Sequence, residues 1–334
     1  MVLTQEPVFQ PSVLERVQQS VRFTSGAGGV HKLLFNAMNT LCRVDFQCPN
    51  TNQARGFQAE VVKWVAAFEA RYSRFLPDSI VSRINAAAGR EWVAVDPETE
   101  RLLALCGEMV FLTRGVFEPT ALPLLRLWNW KANPPRIPSA EEIASARALV
   151  GWRKVQRKPG QVLLTQAGMA LDFGGIGKEY AVDCVLAMGL RQGIVNILVD
   201  FGQDVRVHGH PPERGAWHIG LEDPLHPGKC WAGVGVDNHA VASSGDYIRN
   251  FVADGRRYGH IVDPRTGEPV DNGCLCVNIV ANTCTLAGIL STSAFILGPK
   301  EGVDLIQICQ GAEGSITCGT TRYQSRNFHA YIVS

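Results

Sequence analysis

The chain has 334 residues, 46% hydrophobic and 19% charged, enough to bury a large core in one domain or two coupled subdomains and too apolar for a disordered chain. A net charge of +1, with no basic run interleaved with aromatics, argues against a general nucleic-acid binder, and no apolar run approaches the roughly 18–20 residues of a membrane span. Ten scattered cysteines, several inside apolar runs (Cys106, Cys184, Cys309), read as reduced buried residues, and Cys274 with Cys276 lacks the second pair a zinc ribbon needs.

Residues 1–30 are expected to form a flexible extension ending in Ser25-Gly26-Ala27-Gly28-Gly29, ahead of one domain over 31–334. Met1 to Arg22 shows neither a signal peptide nor a lipobox pattern, so the cytoplasm is the expected compartment. A strand is predicted around Leu33–Phe46. Phe57, Val61, Val65, Phe68 and Tyr72 recur at helical spacing and predict an amphipathic helix over 54–72. Val93 and Val95 alternate as a short strand. Asp96-Pro97 reads as an N-cap with proline at the first helical position, opening a helix to about Thr113. Ser139 with Glu142 is a capping box that opens a helix to about Leu149.

After Gly151 strands dominate: 154–157, 162–165 and 169–173, then a helix over 176–190, then strands at 194–199, 205–209, 217–221, 231–236, 239–243, 251–253 and 274–280. Helices near 285–297 and 300–309 and strands near 314–318 and 327–333 complete the chain. The order is neither strict βαβ alternation nor all-β, which predicts an α+β class with mixed sheets and flanking helices.

Leu171-Asp172-Phe173-Gly174-Gly175-Ile176-Gly177-Lys178-Glu179-Tyr180-Ala181-Val182-Asp183 runs from an apolar strand through a double glycine into a helix. Backbone amides at such a turn, beside a helix N-terminus, suit a phosphate; Asp172 offers oxygen to a cation or hydroxyl, and Lys178 offers a point charge. A Walker A loop is excluded, because Asp172 and Glu179 stand where it needs glycine and Ser or Thr. The other reading is a tight turn with an exposed lysine. Asp263-Pro264-Arg265-Thr266-Gly267 is a turn by composition, and His260 just before it is either a general base or a structural histidine. Gly115-Val116-Phe117-Glu118-Pro119-Thr120 reads as a helix end and loop, and His208 and His210 lack partners at metal-ligand spacing.

Together these segments resemble the ApbE family of FAD:protein FMN transferases, from about Met38 to the C-terminus and in the family's order. Ala37-Met38-Asn39-Thr40 is similar to its Met-Gly-Thr segment. Tyr72-Ser73-Arg74-Phe75, with Asp78-Ser79 and Arg83-Ile84-Asn85, resembles its next signature, and Phe117-Glu118-Pro119-Thr120 its Phe-Asp-Pro-Thr. Leu171–Asp183 matches its Asp-Leu-Gly-Gly-Ile-Ala-Lys-Gly loop, and Phe201-Gly202-Gln203-Asp204 is a degraded Gly-Gly-Asp turn. Ser244-Gly245-Asp246-Tyr247 and His260–Gly267 match nearly letter for letter, and Ala287 to Gly298 follows the final helix.

The resemblance implies an ApbE-like fold of two tightly coupled subdomains. It also implies a transferase that cleaves the FAD pyrophosphate with magnesium and passes FMN to a Thr or Ser hydroxyl of an acceptor protein, releasing AMP. By matching positions, Met38, Val116, Phe117, Glu118, Asp172, Lys178 and Ile261 would line the FAD site. Gly175, Thr285, Gly288 and Thr292 would take the metal positions, and Lys178 and His260 the catalytic roles. The pattern departs at Glu118, which replaces an aspartate and reaches roughly 1.5 Å further, one carbon–carbon bond. It departs at Gln203, which replaces a glycine. It departs most at Gly288, where the family has an aspartate. Losing that carboxylate predicts a weakened metal site, which a gain in rate on Gly288→Asp would reveal. The alternatives implied are an FAD-binding protein without catalysis and an FAD pyrophosphatase that yields FMN and AMP.

Overall fold

A computed structural model describes residues 12–129, 131–132 and 134–333. A nine-stranded sheet organises the chain. Its order is Arg22–Ser25, Val30–Ala37, Thr40–Gln47, Ile197–Phe201, Asp204–His208, Ala240–Gly245, Cys274–Ala281, Glu313–Cys318 and Thr321–Gln324, and every pairing is antiparallel. Successive side chains on a strand face opposite sides, and this sheet buries both. Ile197, Val199, Ala240, Ala242, Ile279 and Ala281 join the main core. That core lies under the helices Thr51–Tyr72, Gly177–Arg191, Cys284–Leu297 and Pro299–Ile308. Leu198, Val205, Val207, Val241 and Val280 face a smaller core, closed by a sheet of Trp217–Glu222, Cys230–Val236 and Ile332–Val333. The Cys284–Leu297 helix is buried around most of its circumference, as its nearly unbroken apolar sequence requires.

A smaller body forms where the helices Leu122–Leu127 and Ala140–Arg147 pack against the hairpin of Asn250–Ala253 and Arg256–Gly259. Leu124, Trp128, Ile143 and Val262 are its core. The Trp128 indole donates to the Gly267 carbonyl at 2.8 Å, tying the Asp263–Gly267 turn to this body. Among the described residues no helix is long and apolar enough to cross a membrane.

Four expectations need correction. Residues 1–11 lie outside the described residues, but from Ser12 onward the expected extension is part of the fold. Ser12 and Glu15 form a capping box on the helix Val13–Gln19, Val17 is fully buried, and Arg22–Ser25 is an edge strand of the main sheet. The strand expected over 33–46 is a hairpin that turns at Met38-Asn39. The strand expected at 169–173 is extended chain without a ladder: the Asn85 side chain takes the place of a neighbouring strand, accepting from Leu171 N at 2.6 Å and donating to Leu171 O at 2.9 Å. Most of the strand expected at 327–333 is a short 3₁₀ turn, Phe328–Tyr331, with Phe328 buried in the smaller core.

Candidate active site

The two bodies and the end of the main sheet enclose a cleft of about 880 Å³. Two tight hairpin turns bring the sheet to it. Met38-Asn39 (φ 50° and 58°) and Gly202-Gln203 (φ 62° and 73°) both hold two successive left-handed residues, the geometry of a type I′ turn. The turns touch: a Cβ on Gly202 would stand 2.3 Å from Thr40 Oγ1, so only glycine fits there. The first hairpin sends Thr40, Leu41 and Arg43 to the cleft, and the second sends Asp200, Gly202, Gln203 and Asp204.

The double-glycine segment forms the adjoining wall. Asp172 is held on all sides: its N–H donates to Pro119 O at 2.8 Å, its Oδ1 accepts from Gly174 N at 2.9 Å, and Arg74 Nε stands 3.1 Å from Oδ2. The Phe173 carbonyl accepts from both Ile176 N and Gly177 N, turning the chain into the Gly177–Arg191 helix. No side chain caps that helix start, and Gly174, Gly175, Lys178 and Glu179 around it line the cleft. Glu118 is committed as well. One oxygen accepts from Thr120 N and Oγ1 at 3.0 and 2.7 Å, and the other accepts from Trp152 N at 2.9 Å. Its carboxylate braces the 116–120 loop, which presents Val116 and Phe117 to the cleft.

Just beyond the double glycine, Lys178 is ion-paired with Asp204 and stands 3.3 Å from Glu179 Oε1. Glu179 is only 7% exposed, and its Oε2 is buried with no hydrogen-bond partner among the described residues. It packs onto Gly288 of the neighbouring helix: a Cβ there would meet Glu179 Cγ at 2.6 Å. One turn further on, Thr292 reaches the cleft, with its hydroxyl 2.9 Å from that of Ser244. Thr285 is turned away from the cleft. It is buried, its hydroxyl donates to Asp183 Oδ2 at 2.7 Å, and Asp183 also accepts from Cys284 N, Thr285 N and Arg206.

His260 completes the rim. Its Nδ1 lies 3.2 Å from the Arg249 carbonyl. A carbonyl only accepts, so Nδ1 carries the proton and Nε2 keeps its lone pair. Burial, reinforced by the Arg249 charge, pushes its pKa down to about 4, so the ring is neutral at neutral pH. The hairpin before it is locked by Asp246, which is 2% exposed and paired with Arg257 at 3.1 Å; a side chain at Gly259 would strike that carboxylate at 2.4 Å. The Asp263–Gly267 turn is closed by a forked Arg265–Asp263 pair at 3.0 and 2.8 Å.

The structure thus gathers Val116, Phe117, Glu118, Asp172, Gly175, Lys178, His260, Ile261 and Thr292 around one cleft. Met38, in the hairpin turn itself, packs against the main core, and neither it, Thr285 nor Gly288 is on the cleft wall. Reading the sequence gave no role to Glu179, Asp204 or Arg249, which do line it. Glu179 carried a readable signal, since it departs from the glycine that ends the family's loop.

Comparison with known proteins agrees with this architecture. A solved ApbE protein from Thermotoga maritima is 32% identical, with a TM-score of 0.83 over 91% of this chain and 100% of that one. The flavin transferase ApbE from Vibrio cholerae is 25% identical, with a TM-score of 0.82 over 93% and 99%. A Treponema pallidum protein named FAD:protein FMN transferase is 29% identical over 293 residues, 83% of this chain and 81% of that protein. The family model described as ApbE family matches residues 38–315. Most of the chain is covered, and the chain belongs to the ApbE family.

Proposed function

We propose that this chain is an FAD:protein FMN transferase, which breaks the pyrophosphate of FAD and passes FMN to a Thr or Ser hydroxyl of an acceptor protein. One observation carries the reading: the uncapped helix start bearing Lys178 and the neutral His260 line the same cleft. Phosphoryl transfer asks a protein mainly for positioning and charge neutralisation. Lys178 and the first amides of the Gly177–Arg191 helix supply positive character at one end of the cleft. His260, with Nε2 free, takes the proton of the incoming hydroxyl at the rim. The new oxygen–phosphorus bond forms on the FMN phosphate as the bond to the AMP oxygen breaks, and AMP leaves with the second phosphate. Phe117, Val116 and Ile261 offer the apolar surface a flavin ring requires.

Magnesium, when bound, would neutralise the pyrophosphate charge. Among the oxygen-bearing side chains that line the cleft, Glu179 and Thr292 lie on the two helices that meet at Gly288, and the orphaned Oε2 of Glu179 fits such a role. The reading without catalysis rests on the missing carboxylate at Gly288, and Glu179 packed on that glycine favours the transferase reading over it. The test mixes the protein with FAD, magnesium and an acceptor domain carrying a threonine. A covalent fluorescent flavin band on a denaturing gel is expected. Free FMN and AMP alone would make the protein a hydrolase, and tight FAD binding without turnover would make it a binding protein.

A further inference from the structure

We propose that Glu179 supplies the metal carboxylate that Gly288 lacks, so that the cation is held between the Gly177–Arg191 and Cys284–Leu297 helices by an acid delivered from the first. The inference rests on the pyrophosphate-cleaving reading above.

Space is the first argument. A side chain beginning at Gly288 would collide with Glu179 Cγ at 2.6 Å, and the Glu179 carboxyl carbon and Oε1 lie 3.2 and 3.4 Å from that starting point. The volume of the absent aspartate is therefore filled by another residue's acid. The family pattern has glycine after the loop lysine and aspartate on the last long helix; this chain has Glu179 and Gly288, the reverse arrangement at two touching positions. With Glu179 in this position a side chain at 288 would force it to move, so the two departures fit together.

Charge is the second. Lys178 is shared between Asp204 and Glu179, leaving one excess negative charge at that wall. A pyrophosphate would add more, and Glu179 Oε2 is buried and unpaired among the described residues. A buried carboxylate oxygen without a partner is costly, and a divalent cation resolves both deficits. Donor chemistry is the third. Gly288 and Thr292 are four residues apart on one helix, hence on one face, and Glu179, packed on Gly288, lines the same cleft as the Thr292 hydroxyl. The described residues hold no cluster of three or more His, Cys, Asp or Glu suited to a metal. Magnesium is commonly held by one or two carboxylates with substrate phosphates and water rather than by an all-protein cage, which is what one carboxylate and a hydroxyl would provide.

The probe is Mn²⁺, titrated into the full chain with and without FAD and followed by electron paramagnetic resonance. The proteins compared are the native chain, Glu179→Gln, and the exchange variant Glu179→Gly with Gly288→Asp, each checked for folding by its melting curve. Glu179→Gln is expected to weaken Mn²⁺ binding by at least about tenfold, the scale seen for disturbing groups around a bound metal, and the exchange variant to recover it. Unchanged Mn²⁺ binding in Glu179→Gln, or no binding by the native chain, overturns the proposal. Acceptor flavinylation is measured on the same proteins. A native chain that needs Glu179 for Mn²⁺ yet labels no acceptor would overturn the transfer reading while supporting the metal site.

Discussion

On the side of the cleft built from residues 116–120 and 171–174, both carboxylates are spent on the protein: Glu118 holds Thr120 and Trp152, and Asp172 holds Gly174 and Arg74. On the side built from the Gly177–Arg191 and Cys284–Leu297 helices, Asp183 is spent in the same way on Thr285 and Arg206, but Glu179 keeps a buried oxygen with no partner. Acids that belong to recognisable sequence signatures are here mostly scaffolding, with their lone pairs occupied. Asp246, a signature acid, also keeps a buried oxygen without a hydrogen bond, but Arg257 stands 3.1 Å from it, whereas Glu179, which departs from the signature, keeps Oε2 with no such cation among the described residues. A motif match locates a site, but the hydrogen-bond partners decide which of its residues can act on a ligand.

Several substitutions sharpen or break that contrast. The largest effect is expected at His260, to which the proposed reaction gives the proton of the incoming hydroxyl and whose ring otherwise hydrogen-bonds only with the Arg249 carbonyl among the described residues. His260→Gln should lower acceptor flavinylation by about 10²–10⁴-fold, the usual share of a general base, while FAD binding followed by flavin fluorescence is retained. The pH profile carries the same information. Protonation destroys the base, and His260 titrates near 4 rather than 6.5, so kcat/KM should stay level for this group from pH 8 to 5 and fall as pH drops through about 4. A fall centred near 6.5 would contradict the burial assigned to the ring.

Asp183→Ala comes next. It strips the acceptor from two backbone amides and a hydroxyl at the start of the Cys284–Leu297 helix and leaves Arg206 unpaired. A loss of about 2–4 kcal/mol in urea unfolding is expected. Glu179→Gln, on the uncommitted acid, should by contrast leave metal-free stability unchanged or slightly raised, because it removes a buried charge that the protein only half satisfies. Equal losses for the two would erase the distinction between spent and spare carboxylates. The smallest effect is at Gln203, a non-glycine residue at φ 73°. Gln203→Gly should stabilise the hairpin by about 0.5–1 kcal/mol, since glycine adopts that region without steric cost but loses more chain entropy on folding.

Much of this was legible in the chain, and the boundary between legible and hidden follows physical lines. The Ser139–Glu142 capping box, the Asp96-Pro97 helix start, the amphipathic helix ending at Tyr72 and the glycine turn into the Gly177–Arg191 helix all depend on residues close in sequence, and all were readable. What failed depended on distant partners. The stretch before Asp172 has strand composition, but its hydrogen bonds go to Asn85. The Met38-Asn39 turn lacks the usual glycine, so the apolar run around it read as one strand. The glycines before Val30 suggested a loose arm, yet the strand before them is paired to Val30–Ala37. Thr285 sits where the resemblance places a metal position, but the hydroxyl's partner, Asp183, lies 102 residues earlier and directs it away from the cleft. The pairing of Glu179 with Gly288 was hidden for the same reason: both departures are visible in the sequence, but their contact is visible only in the fold.

That pairing gives the most direct test of the account, a four-protein cycle read as covalent flavin transferred to an acceptor. The native chain and the exchange variant, Glu179→Gly with Gly288→Asp, should both transfer. Glu179→Gly alone removes the carboxylate, and Gly288→Asp alone drives a side chain into Glu179 and crowds two acids together; each should fall by at least about tenfold, giving strong coupling between neighbouring sites. Faster transfer by Gly288→Asp alone, or effects at the two positions that simply multiply, would contradict a relocated carboxylate and return Gly288 to the status of a lost ligand.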